Sequence, residues 1–121
     1  MEAQTRHEVT QSIVDQFFDS ALDDDLAEIV VRVRSQSPVS EAEALRLNWW
    51  LRARFRYWED VHYQYRLGLY DEDEFVAQTQ ALIGMSGFDD VRDFWRTNKF
   101  AFSAEFMDYV DEVFGSSTMS E

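Results

Sequence analysis

A chain of 121 residues with 45% hydrophobic and 16% aromatic content has the length of one domain and enough apolar material to bury a core without staples. It contains no cysteine, which excludes disulfides, thiolate zinc sites and cysteine nucleophiles. Its net charge of −13 argues against nucleic acid, whose binding needs clustered cations, and against an anionic membrane surface.

Apolar residues Val9, Ile13, Val14, Phe17 and Phe18 recur at helical spacing and predict a first amphipathic helix from about Thr5 to Ser20. Asp23, Asp24 and Asp25 then offer caps for a second helix, with Leu26, Ile29, Val30 and Val33 inward and Arg32 and Arg34 near its end. Ser35 to Pro38 breaks it. Ser40 followed three residues later by Glu43 is a capping box that opens a long helix, expected to run to Gly68.

That helix is the most informative part of the chain. Trp49, Trp50, Phe55, Tyr57, Trp58, Tyr63 and Tyr65 project in most directions around it, and a helix apolar nearly all round is normally buried on several sides. Trp50, Phe55, Trp58, Tyr65 and Leu69 are the expected core. Asp71 and Glu74 begin a fourth helix carrying Phe75, Thr79, Leu82 and Ile83, stopped by the loop from Gly84 to Gly87. Asp89 is expected to cap a short fifth helix with Val91, Phe94 and Trp95, and Ser103 a last one with Phe106, Met107, Val110, Val113 and Phe114. The reading is an all-α bundle of about six helices around one long central helix, a single domain over residues 1–114 with a frayed tail over 115–121.

The cations sit in the middle of an acidic chain. Seven arginines between Arg32 and Arg66 face Glu41, Glu43, Glu59 and Asp60, a local excess of +3 that leaves −16 on the other residues. Ten of the eleven cations are arginine, the residue suited to bidentate pairs and to stacking on aromatic rings. On the long helix Asn48, Arg52, Arg56, Glu59, Tyr63 and Arg66 share one sector. Such a stripe serves either as a structural ion-pair lattice or as the wall of an anion pocket. Glu59, placed between Arg56, Tyr63 and either Arg52 or Arg92, is expected to lock the helix to its neighbours. On that reading Glu59→Gln costs more than the same change at Glu43 or Glu72.

Catalytic signatures are missing: there is no G-x-S-x-G, Gly-rich phosphate loop, HExxH or EF-hand loop. Glu59-x-x-His62 has the spacing of a ferritin-like metal motif, but the other histidine, His7, lacks an acid three residues before it, so the pattern is half a site. His62 therefore reads as a core or boundary histidine, and neither a metal nor a cofactor is implied.

The string from Trp58 through Glu59, Tyr63, Gln64, Tyr65, Arg66, Gly68, Leu69, Asp71 and Glu72 to Phe75, followed by Val91, Arg92, Phe94 and Trp95 and a final helix with Phe106 and Val110, resembles a group of uncharacterised bacterial helical domains. The similarity runs from about Gln4 to Phe114. Many members carry an N-terminal membrane helix before a domain on the cytoplasmic side. The resemblance implies a cytoplasmic location, tethered to the inner membrane if such a helix precedes this start, and supplies no activity. No run of this sequence approaches the length of a membrane span. The expected function is a non-catalytic protein-interaction or sensory domain, meeting a protein partner or itself through a homodimer of the first helices. The alternative is an anion-binding domain or enzyme using Arg52, Arg56, Glu59, Tyr63, Arg66 and Arg92.

Overall fold

The long helix is fixed at both ends by its own sequence. Ser40 accepts from the backbone N–H of Glu43, and the Glu43 carboxylate accepts from the backbone N–H of Ser40, so the predicted capping box is formed. At the other end Leu67 closes the last turn, and Gly68 takes a positive φ of 75°, a conformation in which a side chain would be strained. The computed structural model describes residues 24–119, with side chains to residue 115. They form α1 (Asp24–Arg34), α2 (Glu41–Arg66), α3 (Glu72–Met85), α4 (Asp89–Asn98), a 3-10 turn at Lys99–Ala101 and α5 (Ala104–Met119). The expected helix at residues 5–20, and a homodimer built on it, lie outside the described residues.

Of the four helices from α2 to α5, all but α4 start at a residue whose side chain caps the first turn. Asp71 caps α3 by accepting from the N–H of Glu74, and Ser103 accepts from the N–H of Phe106 at the start of α5. Asp89 is not a cap but the first residue of α4; the cap position belongs to Phe88, which has no side-chain acceptor. Asp89 and Asp90 still oppose the positive end of the helix dipole from inside the first turn. Gly84 does not stop α3, which continues through it to Met85.

The helices pack around α2, which touches α1, α3, α4 and α5, while α1 also meets α4 and α3 meets α5. Phe55 occupies the centre, with no exposed surface. Its ring lies 5.2 Å from Trp95 in a stacked arrangement, 5.3 Å from Phe94 and 5.5 Å from Trp58 edge-on. Burying side chains of this size stabilises by roughly 1.5–3 kcal/mol each, and offset and edge contacts add to that. A second cluster near the C-terminal end of α2 stacks Tyr65 on Phe75 at 3.8 Å and His62 on Tyr109 at 4.5 Å. Phe55 and Trp58 are buried as the sequence implies, whereas Trp50, Tyr65 and Leu69 are only partly covered.

Candidate functional site

The polar stripe of α2 is real, and most of it is tied to one short segment. The Arg52 Nη2 donates to the Asn98 Oδ1 at 3.0 Å. The Arg56 Nη1 donates to Glu59 at 2.8 Å, its Nη2 donates to the Ala101 carbonyl at 3.0 Å, and its guanidinium lies 4.4 Å from the centre of the Phe102 ring. The other oxygen of Glu59 accepts the backbone N–H of Ser103 at 2.8 Å, which is the residue that caps α5. Glu59 therefore does hold α2 to a neighbour, through a main-chain N–H and Arg56 rather than through Arg52 or Arg92. Tyr63 is half exposed beneath Arg66, whose guanidinium is 5.4 Å from its ring centre.

Arg92 lies elsewhere. It donates from Nε to the Ser86 carbonyl at 2.5 Å and from Nη2 to the Phe114 carbonyl at 3.2 Å, so it ties the loop after α3 to the end of α5. The six arginine, glutamate and tyrosine residues expected to act together thus divide into five on one face of α2 and one structural brace.

Among the described residues, a cleft of about 580 Å³ lies between α1, α2 and α4, with Val33, Leu47, Leu51 and Phe94 among its apolar walls and Asn48 and Asp93 among its polar ones. Of the sector read from the sequence, Asn48 alone reaches it. At its edge Arg34 pairs with Asp90 at 3.2 Å and stacks on Phe88 at 3.7 Å.

Glu59 and His62 do not converge. Glu59 is engaged by Arg56 and Ser103, while His62 is buried against Tyr109, Phe75 and Phe106. Burial holds the His62 pKa below its ordinary value, with the nearby Arg66 charge acting in the same direction. Among the described residues no three histidine or carboxylate side chains gather as a metal site would need.

Two features escape a reading by residue type. Arg54 is buried, 5.7 Å from the Trp50 ring centre and 5.0 Å from that of Trp58, and desolvation lowers its pKa. The signal was present as tryptophans four residues to either side. The second is exposure: Trp49 is 67% exposed on the outer face of α2, together with Leu45, Tyr63 and Leu67, and Phe100 projects 78% exposed from the adjoining 3-10 turn. Trp49 and Trp58 are alike by type but nine residues apart, which sets them on opposite sides of the helix, and only Trp58 is among the expected core residues.

No described helix is long and apolar enough to cross a membrane. No protein family, curated protein or solved structure matches the chain.

Proposed function

We propose that this domain is a non-catalytic protein-interaction module and that its contact surface is the outer face of α2. The observation that carries the reading is the exposure of Trp49 with Leu45, and of Tyr63 with Leu67, at the two ends of one face of a helix whose other side forms the core. Exposed aromatics on one face with arginines between them have the composition of an interface, which is rich in aromatics and arginine. Arg52, Arg56, Glu59, Tyr63 and Arg66 contribute its polar part, and Arg92 does not belong to it. The pairing of Arg52 and Arg56 to acceptors from the Asn98–Ala101 segment supports this reading over an anion pocket, which needs cations directed into a cavity. A cytoplasmic location and kinship with the membrane-tethered helical group form part of the same proposal.

The test compares wild type with Trp49→Asp in affinity capture from native lysate, read by native mass spectrometry. Loss of a protein partner with an unchanged melting temperature supports the reading. The same set of bound proteins on both variants rejects it. A small molecule retained by both would direct attention to the cleft between α1, α2 and α4.

A further inference from the structure

The outer face of α2 reads the same from either end. In order along the helix it presents Leu45, Trp49, Arg52, Arg56, Asp60, Tyr63 and Leu67, all exposed, separated by steps of four, three, four, four, three and four residues. At 3.6 residues per turn these seven positions fall within a sector of about 80°. Both the spacing and the chemistry are symmetric about Arg56: leucine and aromatic at one end, aromatic and leucine at the other, a cation on one side of the centre and a carboxylate on the other.

Resting on the interaction reading above, we infer that the occupant of this face is a second copy of the same chain, with the two α2 helices antiparallel about a two-fold axis at Arg56. In that register Leu45 meets the partner's Leu67, Trp49 meets the partner's Tyr63, and Arg52 meets the partner's Asp60, each pair occurring twice as an isologous interface demands. The two Arg56 side chains approach the axis with their charge already offset, because each is bonded to its own Glu59 at 2.8 Å.

Charge selects the antiparallel arrangement. Of the seven positions, Arg52 and Asp60 flank the centre. Laying two helices parallel sets Arg52 on Arg52 and Asp60 on Asp60; turning one round sets each Arg52 on the other copy's Asp60. Phe100, 78% exposed, stands on the turn that Arg52 and Arg56 hold beside the centre of the face, and it widens the contact there. One helix face with this flank is a small contact, in the size class of weak and transient interfaces.

The absence of cysteine makes the register directly testable in the full chain. Four single variants, Leu45→Cys, Trp49→Cys, Tyr63→Cys and Leu67→Cys, are exposed to a short bismaleimide alone and in pairs, with sedimentation of the unmodified protein alongside. Covalent dimer is expected from Leu45→Cys mixed with Leu67→Cys and from Trp49→Cys mixed with Tyr63→Cys. Trp49→Cys alone should give none, because the antiparallel axis holds its two copies about 21 Å apart, and Leu45→Cys alone none at about 33 Å. Efficient self-linking of Trp49→Cys would show a parallel pair and overturn the inference. So would a monomer at several hundred micromolar, or an intramolecular link between Trp49→Cys and Phe17→Cys, which would assign the face to the chain's own N-terminal segment. A monomer whose capture of another protein still depends on Trp49 rejects the second copy and leaves the interaction reading standing; a monomer with no such dependence rejects both.

Discussion

The inner and outer faces of α2 are built from the same residue types and meet opposite fates. Trp58 is 2% exposed and Trp49 67%; Leu51 is 2% exposed and Leu45 56%. Arg54 lies buried between two indoles, while Arg56 reaches across the surface to a carbonyl and a carboxylate. The side chains do not decide this; their surroundings do. One side of the helix meets α3, α4 and α5, and the arc centred on Trp49 carries its large side chains outward. Where a helix is apolar nearly all round, its aromatic content overstates the core, and the excess lies on the exposed face.

The largest effect that sharpens this contrast is a pair of tryptophan truncations. Trp58→Ala should cost about 3–5 kcal/mol, because it opens a cavity beside Phe55, whereas Trp49→Ala should fall within about 0.5 kcal/mol of wild type. Urea unfolding of the two variants at a concentration that keeps the chain monomeric measures both. Equal losses would mean that the two faces have been assigned wrongly.

The sequence carried the fold well and the site in part, and the boundary between them is physical. Ser40 with Glu43, Asp71 and Gly68 encode local hydrogen bonds or backbone angles, so the ends of α2 and the start of α3 are legible without any partner. The core residues of α4 and α5 were legible because polar residues on their other faces leave only one side to bury. On α2 that contrast is weaker: Trp49 and Trp58 are equivalent by type, and what separates them is position around the helix, where Trp49 keeps step with Arg52, Arg56 and Asp60. The same limit applies to Glu59. Its acceptance of a main-chain N–H from Ser103, 44 residues away, cannot be read from the sequence, which suggested Arg52 or Arg92 beside Arg56 instead.

Next in size is a comparison of arginines across the two faces. Arg54→Ala should cost about 2 kcal/mol through the lost contact with two rings and the space left by its stem. Arg56→Ala, which removes a pair whose cation is half exposed, should cost less than about 1 kcal/mol. A reversal of this order would place the structural cation on the outer face.

Glu59 separates the two bonds that the stripe makes. Glu59→Ala leaves the Ser103 N–H without its acceptor, at a cost of about 1–3 kcal/mol. Glu59→Gln keeps a carbonyl oxygen for that N–H and loses mainly the pair with Arg56, about 0–1 kcal/mol. The helix lock is therefore the main-chain bond, and glutamine should be far milder than the sequence alone suggests. Equal losses in the two variants, measured by thermal unfolding, would return the weight to the ion pair.

The smallest effect is a pH dependence that distinguishes the buried aromatic side of α2 from its exposed N-terminal end. His62 is packed against Tyr109, and burial, with Arg66 nearby, depresses its pKa in the folded chain, while Glu105 acts weakly in the other direction. The unfolded chain then takes up the proton more readily than the folded one. The contribution of neutral His62 is complete above the unfolded value of about 6.5 and is lost as pH falls through the lower folded value. Glu43 titrates in a separate window. Its hydrogen bond from Arg32, then that from the Ser40 N–H, lowers its pKa to about 2, so its contribution persists above the ordinary carboxylate range and fades only as pH falls towards that value. Urea midpoints at pH 7.5, 6.5 and 5.5 should therefore decline slightly in wild type and stay level in His62→Phe, while Glu43→Gln should retain the wild-type decline across this range. A decline that survives in His62→Phe would assign the proton uptake to a group other than the buried imidazole.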